Sequence, residues 1–263
     1  MFLMLGVFLN RGPIFEIISK KKDCISEYDI CFFGDSKNYW GIDYHLLKEK
    51  FPSKSFYNFS IGGASFIDMI NMYGDYQCNC KTSIYNLHEF TGGRDIIENT
   101  SFFWSENLRN FDLFRPGEFF NPFKSSNGDY ERFNGFLIQK TEVYPSQNER
   151  DTNNPFNVEL IKGNIGNKYS YLSNILNDKK VVFIIYPDRA FREQFLSKNF
   201  GPTFLDSLYS IYFQKHPLFD FRQIKTLKKD SFYVDSHHLN KKGSEYFTLS
   251  LIDSLLSYGY LNY

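Results

Sequence analysis

Two short constellations carry residue types that can do chemistry. The first is Gly34-Asp35-Ser36, which follows the apolar aromatic run Ile30 to Phe33 within YDICFFGDSKNY. A buried strand that stops at a glycine, with a small hydroxyl residue at the start of a helix, is where α/β sheets place reacting groups. The same pattern also suits a plain helix cap, with Asp35 or Ser36 accepting from the first backbone N–H groups. The second is Asp235-Ser236-His237-His238-Leu239-Asn240-Lys241-Lys242-Gly243, in a loop just before a C-terminal amphipathic stretch. An aspartate three residues before a histidine can accept from the ring nitrogen that faces away from a reaction. That fixes the tautomer and stabilises the imidazolium. His238 stands at that spacing, and His237 is the fallback base; a solvent-exposed histidine pair is the plainer alternative.

The surrounding chain supplies elements able to position both. Ile30 to Phe33 reads as a first strand, and Trp40 to Lys50 as an amphipathic helix with Ile42, Leu46 and Leu47 on one face. Ser55 to Phe59 is a second strand running into the glycine turn Ser60 to Ser65, followed by a helix from Phe66 to Met72. Two strand–glycine turn–helix units in succession predict a parallel sheet with crossover helices. Such a sheet brings Ser36 and Gly63 to one crevice at the carboxyl edge. Val181 to Tyr186 (VVFIIY) is the strongest buried strand, and Tyr169 to Asn177, Asp188 to Lys198, Phe204 to Gln214 and Ser244 to Tyr258 read as helices, with a short strand at Leu218 to Phe221.

Residues 74–170 break this rhythm with Gly92-Gly93, Asn121-Pro122, Asn127-Gly128 and Asn153-Asn154-Pro155. They read as an irregular insertion or cap, in which only Ile84 to Leu87 and Phe136 to Ile138 resemble strands. Phe102, Phe103, Trp104, Phe119 and Phe120 are expected to pack inside it or to stack on a ligand. The expected organisation is an N-terminal segment over 1–27 and a single domain over 28–258. Met1 to Leu9 is apolar but too short to span a bilayer, and lacks basic residues before it; it reads as the remnant of a membrane anchor or as a packed terminus.

Composition excludes some partners. With Lys+Arg and Asp+Glu at 30 each, the 263-residue chain is formally neutral, which argues against nucleic acid and a polybasic membrane patch. The 30 Phe and 19 Tyr reflect compositional drift more than function, since Asn and Lys are also abundant and Ala scarce. Of the four cysteines, Cys31 reads as a buried small hydrophobe, and Cys78-x-Cys80 lacks the second pair that a zinc site needs. No metal and no cofactor are expected.

Taken together, GDS after the first strand, N-x-x-x-x-G from Asn58 to Gly63, and D-x-x-H before the last helix resemble the SGNH/GDSL hydrolase superfamily. FFGDSKNYWGID and YVDSHHLNKKGSEYFT look most like its members from bacterial surface-polysaccharide and teichoic-acid acyl-modification systems. The resemblance runs through Asp29 to Met72 and Lys180 to Leu256. It implies a three-layer α/β/α sandwich with a mainly parallel, flavodoxin-like sheet. It also implies Ser36 as nucleophile, His238 as general base, Asp235 as its orienter, and the N–H groups of Ser36 and Gly63 as the oxyanion hole. Asp35 is expected to hold the turn through hydrogen bonds to nearby backbone. The implied function is a serine esterase or O-acyltransferase acting on an acylated carbohydrate or other small ester, and the apolar N-terminal segment favours an extracytoplasmic, membrane-proximal setting over a cytoplasmic one. The family's third block, G-x-N-D, has no match; Asn79 and Asn86 stand in different contexts. A catalytically inactive carbohydrate-binding or assembly protein is therefore the alternative. Oligomeric state is not legible.

Overall fold

The computed structural model describes residues 26–60, 78–88, 180–189 and 202–262 except Ser236, with the short pieces 130–133 and 136–139 and isolated helical positions between 170 and 198. Its centre is a five-stranded sheet in which every pairing is parallel. The strands are β1 (Tyr28–Phe33), β2 (Phe56–Asn58), β3 (Cys80–Asn86), β6 (Val181–Ile185) and β7 (Leu218–Asp220), in the order β2-β1-β3-β6-β7. The order reverses between β1 and β3, and a doubly wound sheet opens its ligand crevice at that switch point, beyond the carboxyl ends of the strands. A separate antiparallel hairpin pairs β4 (Tyr130–Phe133) with β5 (Phe136–Gln139).

Both faces of the sheet are buried, as a parallel sheet requires. Alternate side chains split into two cores. Ile30, Phe32, Phe56, Ile84, Val182 and Ile184 meet Leu47 of α2 (Tyr44–Lys50) and Phe247, Leu251 and Leu255 of α4 (Lys241–Ser257). On the opposite face Cys31, Phe33, Tyr57, Tyr85 and Phe183 meet Leu208 of α3 (Phe204–Leu208) and Phe213 in the π-turn that continues it. The result is the expected three-layer α/β/α arrangement. All five residues of β6 are buried.

Three expectations change. The stretch read as one helix from Trp40 to Lys50 is broken: α1 (Ser36–Gly41) ends at Ile42, and α2 restarts after Asp43. Asp43 accepts from Leu46 N (3.1 Å), and its own N–H donates to Thr248 Oγ1 of α4 (2.8 Å), so the break anchors the last helix. Next, Cys80–Asn86 lies in the middle of the sheet rather than in an insertion. Its polar opening (Cys-Lys-Thr-Ser) hides the apolar pattern that marks the other central strands, and burial begins only at Thr82. Phe136 also belongs to the core, against Phe32 and Tyr44 at ring separations of 5.6 and 5.1 Å. Finally, Cys31 is not a free buried thiol but forms a disulfide with Cys80, and Cys78 is disulfide-bonded as well, which removes the C-x-C pair from metal chemistry.

The N-terminal segment through Ile25, the helix proposed at Phe66 to Met72, and the aromatics at Phe102, Phe103, Trp104, Phe119 and Phe120 lie outside the described residues. Among the described residues no helix is long and apolar enough to cross a membrane.

Candidate active site

β1 delivers Gly34-Asp35-Ser36 to the switch point. Gly34 has φ +158°, and a Cβ there would lie 3.1 Å from Asn38 Nδ2 and 3.2 Å from Asn86 Cβ, so a side chain would press on the amides that brace the turn. Asp35 is the N-cap of α1, accepting from Lys37 N at 2.9 Å. The same oxygen, Oδ1, also accepts from Asn86 Nδ2 at the end of β3 (2.7 Å), and Oδ2 lies 3.7 Å from His88 Nε2. Asp35 thus joins the ends of β1 and β3 while capping the helix. Its expected structural part is extended beyond nearby backbone to a neighbouring strand.

Buried amides brace the turn from behind. Asn38 Nδ2 donates to Phe33 O (2.9 Å), Asn58 Nδ2 donates to Asn38 O (2.9 Å), and Asn58 Oδ1 accepts from Ser60 N (3.0 Å). Asn58 therefore ties the start of the second glycine turn to α1. Gly63, expected to supply an oxyanion donor, lies outside the described residues.

The second constellation arrives from the loop before α4. Tyr233 and Leu239 are buried and bridge to each other, and Val234 N donates to His238 O (2.9 Å), which closes a tight loop around Asp235. Asp235 Oδ1 accepts from the backbone N–H groups of His237 (2.9 Å) and His238 (2.8 Å). Its other oxygen, Oδ2, is 2.5 Å from His238 Nδ1, and His238 Nε2 is 2.7 Å from Ser36 Oγ. An ionised carboxylate can only accept, so Nδ1 carries the ring proton. Nε2 then presents its lone pair to the Ser36 hydroxyl.

Burial pushes the Asp235 carboxyl up, but the hydrogen bond from His238, the adjacent imidazoles and the His237 N–H outweigh it. They hold the group well below the usual carboxylate range. Asp235 is thus ionised wherever the protein is folded near neutral pH.

The structure accordingly brings Ser36, His238 and Asp235 into one hydrogen-bonded chain. His237 stands beside it, with its ring 4.0 Å from that of His238 and its Nδ1 3.8 Å from Asp235 Oδ1. The ring in contact with Ser36 is that of His238. Asp235, His237 and His238 also form the sole cluster of potential metal ligands among the described residues, and no ion is needed to account for their contacts.

Several neighbours were not singled out in the sequence. Trp40, one helical turn beyond Ser36, lies with its ring 5.4 Å from that of His238. Its i+4 spacing from Ser36 on a helix was the available signal. Asn86, set aside in the sequence because it stands outside a G-x-N-D motif, closes β3 beside the first strand and donates to Asp35. Lys37 and Asp188 form a buried ion pair whose partners are 151 residues apart, and nothing local in sequence announces it.

No protein-family model and no curated protein sequence matches the chain. Among solved structures it is similar to the lipase/acylhydrolase from Enterococcus faecalis, at 12% identity and a TM-score of 0.46 over 86% of this chain and 94% of that one. It is likewise similar to a protein from Streptococcus pneumonia described by reference to platelet activating factor, at 14% identity and a TM-score of 0.48 over 97% of each chain. Both likenesses concern the overall course of the chain, and the chemistry of this site is argued from its own geometry.

Proposed function

We propose that the protein is a serine esterase or O-acyltransferase of the SGNH/GDSL type, acting on an acylated carbohydrate through an acyl-enzyme. The observation that carries this reading is the position of His238, with Nε2 on Ser36 Oγ (2.7 Å) and Nδ1 on Asp235 (2.5 Å). Ser36 Oγ attacks the ester carbonyl while its proton passes to His238 Nε2, and Asp235 stabilises the imidazolium. The tetrahedral intermediate collapses, the C–O bond to the sugar breaks, and the leaving alkoxide takes the proton from His238. Water, or a second sugar hydroxyl, then gives its proton to His238 and attacks the acyl carbonyl; the acyl C–Oγ bond breaks, and Ser36 Oγ takes the proton back from His238 Nε2. The Ser36 N–H at the head of α1 and that of Gly63 are the proposed oxyanion donors, each worth on the order of 3 kcal/mol in the transition state.

Two further observations support the choice of substrate and compartment. Trp40 sets an aromatic ring beside His238, a surface suited to packing against a sugar or acyl chain. The Cys31–Cys80 disulfide suits an oxidising, extracytoplasmic setting.

Turnover of p-nitrophenyl acetate and labelling by a fluorophosphonate test the reading. Wild type is expected to react, and Ser36→Ala to fall to background in both assays. Equal background from the two proteins would overturn it. Mass spectrometry of an acylated oligosaccharide then separates free acid, the hydrolase product, from acyl transferred to a second sugar.

One observation favours the second reading, a catalytically inactive SGNH-fold protein that binds carbohydrate or serves assembly. The end of β3 carries no G-x-N-D, and the Asn86 amide there donates to Asp35. Carbohydrate binding that is equal in wild type and Ser36→Ala, without turnover in either, is its expected signature.

A further inference from the structure

The segment leaving β6 touches both halves of the site. Pro187 ends the strand, and Asp188 and Arg189 follow. The Asp188 carboxylate accepts from Lys37 Nζ with both oxygens, at 3.0 and 3.1 Å, and Lys37 is the residue directly after Ser36. Arg189 faces the other half: Nη1 donates to the main-chain carbonyl of Asp235 (3.2 Å), and Nε donates to Asp230 Oδ1 (2.8 Å). Two consecutive residues therefore hold the Ser36 segment and the Asp235–His238 loop from one anchor point.

Such an anchor answers a geometric need. Ser36 leaves β1 and His238 precedes α4, and the two are 202 residues apart in sequence. The His238 loop belongs to none of the five strands of the sheet, so no ladder hydrogen bond joins it to β1. The Lys37–Asp188 pair is almost completely buried, with side-chain exposures of 4% and 8%. A buried ion pair is poor at stabilising a fold, because an apolar pair of similar volume does as well or better.

We propose that Asp188 and Arg189 are positioning residues that hold Ser36 and His238 within hydrogen-bonding reach, Asp188 through Lys37 and Arg189 through the Asp235 carbonyl. The inference rests on the serine-hydrolase reading for its kinetic consequence, but its structural consequence can be measured without turnover.

The test combines two readouts on Arg189→Ala, Arg189→Lys and the double variant Lys37→Met/Asp188→Leu, which keeps the buried volume and removes both charges. The first readout is the low-field proton NMR signal of His238 Nδ1–H on Asp235, with His238→Ala as its assignment control. The second is kcat and KM for p-nitrophenyl acetate. Arg189→Ala is expected to shift or broaden the low-field signal and lower kcat by about 10- to 100-fold with KM within about twofold, since an ångström of misplacement costs up to about 10²-fold. Millimolar guanidinium should restore part of that loss. Arg189→Lys, which keeps the charge but lacks the planar fork of donors, should fall between Arg189→Ala and wild type. The folded double variant is expected to lose at least about tenfold in kcat on the same ground. A folded Arg189→Ala protein with wild-type signal and kcat overturns the Arg189 part, and a folded double variant with wild-type kcat overturns the Asp188 part. Should wild type and Ser36→Ala both give only background turnover, the hydrolase reading fails. The NMR signal then decides the positioning: an unchanged signal in Arg189→Ala and in the double variant overturns it, and an altered one sustains it.

Discussion

Asp235 does more than face a histidine. Its Oδ1 is taken by two consecutive backbone N–H groups, so the carboxylate is aimed before His238 Nδ1 reaches Oδ2. A carboxylate that accepts several such bonds favours its charged form, and its folded-state pKa lies below the ordinary 3.8. The sign follows: between the folded and unfolded values the unfolded chain binds more protons. The contribution of Asp235 to stability is therefore complete above about pH 4 and is lost progressively as pH falls below it. Urea midpoints for wild type and Asp235→Asn, measured between pH 7 and pH 3, should differ most near neutrality and draw closer toward pH 3; a constant gap would contradict this. The same variant should lower ester turnover on the order of 10⁴-fold, because an amide can donate to Nδ1 and so hold the wrong tautomer. Ser36 contributes only its hydroxyl to this chain of bonds. Gly34, Asp35 and the amides of Asn38 and Asn86 decide where that hydroxyl points.

The elements that deliver these residues are short and depend on tertiary anchors. α1 spans six residues, too few to persist alone, and is held by the Asp35 cap, the Asn38 and Asn58 amides and the Lys37–Asp188 pair. α4 is the opposite case: seventeen residues, capped by Asn240 Oδ1 on Gly243 N (2.9 Å), with Phe247, Leu251 and Leu255 fully buried. It fixes the downstream end of the His238 loop. Gly243 lies so close to the chain before it that a Cβ would meet Phe232 O at 2.3 Å. Within the sheet the Cys31–Cys80 disulfide ties the neighbouring strands β1 and β3 across a separation of 49 residues. A closure of that length restricts the unfolded chain, and replacing Cys31 and Cys80 together by alanine is expected to cost about 2–4 kcal/mol. Chemical denaturation with and without reductant reads this directly. Wild type should lose stability on reduction, and the double variant should lose less.

At the scale of the whole molecule, the site sits where the order of a doubly wound sheet reverses, and its two halves are anchored in one core. Ser36 follows a strand whose last four residues are buried, and the His238 loop is pinned by Tyr233 and Leu239. Neither half can move far without opening that core. Loss of ester turnover in urea should therefore share its midpoint with the loss of near-UV circular dichroism, as for a single cooperative transition. Turnover that disappeared at clearly lower urea would mean that the site opens on its own.

Read without its fold, the chain already determined a good deal. The apolar run before Gly34, the VVFIIY strand and the C-terminal helix pattern are local signals, set by burial and period, and they specified a parallel α/β sheet. Ser36, Asp235 and His238 stood out as candidates because each lies beside such a signal, and it was the resemblance to the SGNH/GDSL pattern that grouped them. Other features depended on contacts between segments remote in sequence. The polar first half of Cys80–Asn86 concealed a central strand, since burial there comes from β1 and β6 on either side rather than from its own composition. The Cys31–Cys80 bond, the hydrogen bond from Asn86 to Asp35, and the paired reach of Asp188 and Arg189 toward Lys37 and Asp235 have no local signature. Only the folding of the sheet brings those partners within bonding distance. The types of the candidate groups were written in the sequence, but the 2.7 Å between Ser36 Oγ and His238 Nε2 was decided by the tertiary structure, because a hydrogen bond across 202 residues exists only once the strands between have paired.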